Sequence, residues 1–146
     1  MNIILLSGGS GKRLWPLSND IRSKQFIKLF KDDNGNYESM VQRVYRQITT
    51  VNPMVKVTVA TSKNQVSVIK SQLGEKINIC VEPSRRDTFP AILLAAAYIH
   101  YELGIGVEEC IAVCPVDPYV DNDYYKCVGE LENLVEAGTA NLTLMG

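Results

Sequence analysis

Short apolar runs alternate with segments of helical periodicity from one end of the chain to the other. The apolar runs are rich in Val and Ile and mostly lack the polar alternation of half-exposed strands. That pattern is typical of parallel strands covered on both faces. It predicts strands at residues 2–6, 55–60, 77–82, 110–114 and 142–145.

The segments between these strands have the spacing of amphipathic helices. Helices are predicted at residues 38–50, 62–73, 89–103 and 123–137. Residues 62–65 (SKNQ) have the sequence of a capping box, and Gly74 and Gly138 are placed where helices commonly end. Residues 15–36 are predicted to form one long polar loop, which in a compact domain is usually functional or mobile.

Alternating strands and helices predict an α/β fold with a mostly parallel sheet and helices on both faces. We expect one nucleotide-binding domain over residues 1–146, because this length supports a single core. Ligands of such sheets bind beyond the carboxyl ends of the strands. This rule selects the loops that follow Leu6, Glu82 and Cys114.

Composition narrows the possible functions. The formal net charge is −1, which argues against nonspecific attraction to nucleic acid or to a membrane surface. Four cysteines and one histidine match no zinc pattern, so we expect reduced cysteines that pack in a cytoplasmic protein. The short apolar start lacks a leading cationic segment, unlike a signal peptide.

Residues 7–13, with the sequence SGGSGKR, follow the first predicted strand directly. Glycines lack Cβ atoms, so backbone N–H groups there can approach an anion closely. The segment matches neither a Walker A loop nor a full dinucleotide fingerprint, because positions 6, 13 and 14 carry Leu, Arg and Leu. The glycines alone leave a tight turn and a phosphate-binding loop open; the adjacent Lys12 and Arg13 favour the phosphate-binding loop.

Three later motifs each allow a structural and a functional interpretation. Lys24, in SKQF, is either a solvated loop lysine or a cation for a triphosphate. In EPSRRDTFPAI (82–92), Asp87 or Thr88 can cap a helix, but capping explains neither the Glu-Pro pair nor the two arginines. Donors and acceptors concentrated at the end of a strand suit a nucleobase edge or a ribose. Asp117, in CPVDPYV, is a turn residue or a ligand of Mg²⁺, which binds few carboxylates besides substrate phosphates.

In this order, LSGGSGKRLWPLS, SKQF, EPSRRDTFPAI and CPVDPYV resemble the N-terminal half of the sugar-1-phosphate nucleotidyltransferases. The resemblance is strongest to the branch that acts on GTP and mannose 1-phosphate. It implies a Rossmann-like three-layer sandwich. It also implies transfer of GMP from GTP to mannose 1-phosphate, which yields GDP-mannose and pyrophosphate, with Mg²⁺ as cofactor.

The same resemblance implies a role for each matched residue. Arg13 would hold the β and γ phosphates of the leaving group, and Lys24 would bind the α-phosphate. Asp117 would ligate Mg²⁺. The residues implied to bind the nucleotide are Leu6, Ser7, Gly8, Gly9, Ser10, Gly11, Lys12, Glu82, Pro83, Arg86, Asp87 and Thr88.

The chain departs from the family pattern in three respects. Ser23 stands where the family usually has Pro, and Pro118 and Tyr119 replace a His-containing run. Family members are also longer, and the resemblance implies that their second half supplies sugar-binding residues and a second metal carboxylate. We therefore expect a truncated N-terminal portion or a separately made domain, whose open sheet edge would favour association with another chain, as in a homo-oligomer.

Two alternative functions stay open at this point. One is a glucose-1-phosphate thymidylyl- or uridylyltransferase, against which the EPSRRDT run argues. The other is a nucleotide-binding module that has no turnover on its own.

Overall fold

The alternation of strands and helices is present in the computed structural model, which describes residues 1–8, 18, 23–84 and 86–145. In chain order the elements are β1 (Asn2–Leu6), β2 (Lys28–Lys31), β3 (Tyr37–Ser39), α1 (Met40–Val51), β4 (Lys56–Ser62), α2 (Val66–Leu73), β5 (Asn78–Glu82), α3 (Thr88–Tyr101), β6 (Ile111–Pro115) and α4 (Asn122–Glu136). Single-turn 3₁₀ helices occupy Lys24–Phe26 and Lys63–Gln65.

The main sheet is parallel, with the strand order β5-β4-β1-β6. The chain runs outward from β1 to β4 and β5, and then returns to pair β6 with the other side of β1. Leu6 aligns with Ala60 on one side and with Pro115 on the other. The crevice at this reversal, between the carboxyl ends of β1 and β6, is where open α/β sheets bind their ligands.

Helices cover both faces of the sheet, as the predicted three-layer class requires. On one face α3 packs Ala95 and Ile99 against Ile4 of β1. On the other face, residues of α1, α2 and α4 pack against β1, and their buried side chains include Val44, Ile69 and Val128. None of the described helices combines the length and the apolar character that a membrane span requires.

The predicted long loop at residues 15–36 is wrong in its described part. It contains a 3₁₀ turn and strand β2, which pairs antiparallel with β3. This pairing was missed because both strands are short and expose side chains such as Leu29 and Tyr37, so neither has an apolar run. The hairpin of β2 and β3 leads directly into α1.

The predicted capping box at residues 62–65 is also wrong. Ser62 makes no capping hydrogen bond, and α2 begins at Val66. The capping box instead lies at the start of α1, between Ser39 and Gln42. The predicted helix ends at Gly74 and Gly138 agree with the positive φ angles of both glycines.

Residues 142–145, predicted as a strand, form none in the structure. A cavity of about 780 Å³ is lined both by this segment and by β6, so the segment lies apart from the outer edge of β6. Leu142 and Leu144 are exposed. The apolar run lacks the ladder partner that a strand needs, because backbone pairing is what satisfies the polar groups of a strand.

The buried thiols provide a test of this fold. Cys80 and Cys114 are buried while Cys127 is exposed, and burial raises the pKa of Cys114 to about 11. Because the thiolate is the reactive form, we expect iodoacetamide at pH 8 to label Cys127 well before Cys80 and Cys114. Mass spectrometry of timed digests measures the order. In denaturant all four cysteines should react at similar rates, and early labelling of Cys114 in the folded protein would contradict the fold.

Candidate functional site

Lys24 and Asp117 meet at the reversal point of the sheet, although 93 positions separate them in the sequence. The Lys24 Nζ atom lies 3.0 Å from Asp117 Oδ2, and the side chains are 47% and 54% exposed. Lys24 belongs to the segment after β1, and Asp117 follows β6. An ion pair this exposed contributes little to stability, so both charges are available to a ligand.

Buried neighbours hold the backbone at Lys24. Gln25 Nε2 donates to the Ser7 carbonyl oxygen at 2.8 Å, which ties the turn to the end of β1. Phe26 is buried in the core, and Gln72 Nε2 donates to its carbonyl oxygen at 2.9 Å. The chain is therefore fixed around a lysine whose ammonium group reaches water.

The loop that carries Asp117 is held from α1. Gln47 Nε2 donates to the Val120 carbonyl oxygen at 2.9 Å, and the Arg43 guanidinium lies 4.5 Å from the centre of the Tyr119 ring. Cation–π contacts of this kind are favourable. Tyr119, a departure from the family pattern, thus helps to hold the loop beside Asp117.

A second pair of predicted residues meets across β4. The Glu82 carboxylate lies so close to Gly8 that a Cβ atom added there would be 3.1 Å from Glu82 Oε1. Gly8 follows β1 and Glu82 ends β5, and a side chain at position 8 would require the Glu82 carboxylate to shift by a few tenths of an ångström. The Glu82 carboxylate therefore lies beside the backbone that follows β1, at the carboxyl edge of the sheet.

The described residues that follow Glu82 are exposed, and Asp87 among them has a strained backbone. Pro83, Arg86, Asp87 and Thr88 all lie at the surface, and Arg86 Nε donates to Ser84 Oγ at 3.3 Å. Asp87 occupies the N-cap position of α3, but its side chain makes no capping hydrogen bond. Its φ of 74° and ψ of −176° fall in a region that essentially only glycine adopts. Strain of this kind commonly marks functional segments.

The remaining predicted residues are distributed as follows. Leu6 ends β1, and Ser7 is buried and extends the pairing through a hydrogen bond from its N–H to the Ala60 carbonyl oxygen. The predicted roles of Gly9, Ser10, Gly11, Lys12 and Arg13 fall outside the described residues. In the described part of the chain, no group of three potential metal-ligating side chains surrounds Asp117. A single exposed carboxylate suits Mg²⁺, which takes most of its remaining ligands from phosphates and water.

Sequence reasoning overlooked the side chains that position this site. Gln25 and Ser23 lie within the SKQF motif, but only Lys24 was selected. Gln65 was assigned to a capping box, and its side chain instead reaches Ser23. The available signal was the uncharged polar residues on either side of Lys24, Ser23 and Gln25.

Comparisons with known proteins identify the family and the fold of the chain. A family model described as nucleotidyl transferase matches residues 2–145. A solved structure from Thermus thermophilus, described as a mannose-1-phosphate geranyltransferase, superposes with a TM-score of 0.73 and 28% identity. It covers 94% of this chain, which in turn covers 38% of that one.

Two curated relatives are similar in sequence. A Vibrio cholerae protein named as a putative mannose-1-phosphate guanylyltransferase is 34% identical over 64% of this chain and 20% of its own length. The alginate biosynthesis protein AlgA of Pseudomonas putida is 34% identical over 82% of this chain and 24% of its own length. The chain therefore spans about a fifth to a quarter of the length of these curated relatives.

The strain at Asp87 predicts a gain in stability on substitution. We expect Asp87→Gly to raise the free energy of unfolding by about 1 kcal/mol, because glycine adopts this backbone conformation at low cost. The matched control is Asp121→Gly at the N-cap of α4, where φ is −89° and the side chain accepts hydrogen bonds from Asp123 and Tyr124. That change should lower stability by a few tenths of a kcal/mol. Urea denaturation measures the free energy of unfolding of both variants. If the two substitutions change it in the same direction, the backbone at Asp87 is not strained.

Proposed function

The chain belongs to the nucleotidyl transferase family, and we propose that it forms the nucleotide-binding part of an enzyme that transfers GMP from GTP to mannose 1-phosphate. The products would be GDP-mannose and pyrophosphate. The observation that carries this proposal is the meeting of Lys24 and Asp117 at the reversal point of the sheet. A cation and a magnesium-type ligand side by side suit a metal-bound triphosphate.

The reaction needs no covalent nucleophile from the protein. A phosphate oxygen of the sugar phosphate attacks the α-phosphorus of GTP, and the bond from that phosphorus to the bridging oxygen breaks, which releases pyrophosphate. Positioning and charge neutralisation supply most of the catalysis in such transfers. Lys24 would hold the α-phosphate, and Arg13 would hold the leaving group.

Asp117 would be the protein's ligand to Mg²⁺. When bound, Mg²⁺ supplies positive charge that offsets the triphosphate. The Lys24 ammonium and the Asp117 carboxylate now neutralise each other at 3.0 Å. Both would exchange partners when the nucleotide binds: the ammonium would turn to a phosphate oxygen, and the carboxylate would turn to the cation.

Glu82 would select the base. Guanine presents two adjacent N–H donor groups on one edge, and a carboxylate can accept from both. Uracil and thymine present a single N–H group between two carbonyl oxygens. A carboxylate can accept from that one N–H group, but its second oxygen then faces a carbonyl oxygen, and the two oxygens repel each other. The position of the Glu82 carboxylate beside Gly8, at the end of β5, supports this assignment.

Removing either charge of the pair tests the phosphate and metal roles. We expect Lys24→Met to weaken binding of GTP with Mg²⁺ roughly tenfold to a hundredfold, as a lost charge-assisted hydrogen bond would. Asp117→Asn should remove most of the difference in GTP affinity between titrations in Mg²⁺ and titrations in EDTA. Isothermal titration calorimetry measures both.

The Lys126–Asp123 ion pair of α4 supplies the matched control, with its Nζ and Oδ1 atoms 2.7 Å apart. Lys126→Met and Asp123→Asn should leave GTP affinity unchanged. If the substitutions in both pairs have the same effect, the proposed site is wrong. Formation of GDP-mannose from GTP and mannose 1-phosphate is the assay for the complete reaction.

Nucleotide selectivity tests the role of Glu82. We expect Glu82→Gln to reduce the preference for GTP over UTP and dTTP about tenfold, because the amide offers only one acceptor oxygen and adds a donor. Competition titrations of the three nucleotides measure this ratio. Glu130→Gln, an exposed change on α4, should leave the ratio as it is. A wild-type protein that prefers UTP or dTTP would favour the thymidylyl or uridylyl alternative.

A further inference from the structure

A chain of buried hydrogen bonds connects β4 to the residue that precedes Lys24. Thr61 Oγ1 donates to Gln65 Oε1 at 2.7 Å, and Gln65 Nε2 donates to Ser23 Oγ at 2.8 Å. Thr61 and Ser23 are fully buried, and Gln65 is 3% exposed. In this environment each broken link leaves a polar atom without a partner, which makes the chain costly to disturb.

The backbone of Ser23 already has the shape that proline imposes. Its φ is −66° and its ψ is 157°, and the proline ring restricts φ to about −65°. Serine gives up the stiffness of the ring, and in exchange its hydroxyl group provides a point that a neighbouring side chain can hold.

We propose that Gln65, oriented by Thr61, is a positioning residue for Lys24, and that its hydrogen bond to Ser23 replaces the stiffness of a proline. This inference rests on the proposed role of Lys24 in binding phosphate. Gln65 makes no contact with the ligand in this scheme. It acts by fixing the residue immediately before Lys24, while Gln25 and Gln72 fix the residues after it.

The first test replaces the amide and then restores the stiffness. We expect Gln65→Met to weaken binding of GTP with Mg²⁺ about fivefold to tenfold. Adding Ser23→Pro to Gln65→Met should return the affinity to within about twofold of wild type. If the double variant binds as weakly as Gln65→Met, Gln65 does not act through the stiffness of this turn and the proposal is overturned.

The second test asks whether Gln65 acts through Lys24. In a Lys24→Met background, Gln65→Met should cause no further loss of GTP affinity, because the group that it positions is already gone. Full additivity of the two losses would overturn the proposal. Two threonines of β4 provide a test that leaves Gln65 in place. Thr61→Val should weaken GTP binding, because it removes the hydrogen bond that orients Gln65, whereas Thr58→Val, at another buried threonine, should not.

Hydrogen exchange examines the turn without any ligand. The Phe26 N–H donates to the Ser23 carbonyl oxygen at 3.0 Å, and the Ile27 N–H donates to the Lys24 carbonyl oxygen at 3.2 Å. Gln65→Met should speed exchange at both amides, and Ser23→Pro should slow it again. Unchanged exchange would overturn the inference. Faster exchange in a protein that binds no GTP would overturn the proposed function alone.

Discussion

The parallel pairing of β1 with both of its neighbours is the constraint on which the rest of the structure depends. Ile4 lies opposite Thr58 on one side and opposite Val113 on the other, and it is fully buried between helical layers. Because all three strands run in the same direction, their carboxyl ends reach one edge together. A slip of one residue would exchange the side chains that β1 presents to its two helical layers and would shift its carboxyl end relative to β4 and β6. The register therefore determines where Ser7 and Asp117 emerge.

The two charges of the candidate site stand on well-anchored backbone on either side of this crevice. On one side, side-chain amides of Gln25 and Gln65 hold the turn that carries Lys24. On the other side, Gln47 holds the loop that carries Asp117. Phosphoryl transfer depends on such preorganisation, because charges that are already oriented cost little to reorganise during the reaction. On the proposed function, the polar side chains near the sheet edge would position these charges, and the apolar core supports them.

How much of this arrangement the sequence predicts depends on the range of the forces involved. The strands of the main sheet are predicted to within one or two residues, because burial on both faces leaves continuous apolar runs. The strand-end rule places Asp117 at this edge of the sheet, whereas the position of Lys24 beside it does not follow from the rule, because Lys24 lies well beyond the end of β1. The strand predicted at residues 142–145 failed because a strand also needs a partner, which composition does not reveal. Gln65 shows why a local pattern can fail. Its spacing from Ser62 fits a capping box, but its side chain forms hydrogen bonds with the buried Thr61 and Ser23 instead.

On the proposed function, the charge balance of the site gives a reason for a metal ion and a triphosphate to bind together. The chain carries a formal net charge of −1, and Asp117 neutralises Lys24. A triphosphate arriving alone would meet the carboxylate as well as the ammonium group, and the two effects would largely cancel. A divalent cation that takes Asp117 leaves Lys24 to face the phosphates. The exposure of this pair makes the exchange easy. By contrast, separating Arg46 from the buried Glu38, which it contacts at 2.8 and 3.0 Å, would leave that carboxylate with the longer contact to Arg43 at 3.8 Å. On the proposed function, the ion pair that must open is therefore the one that lies in water.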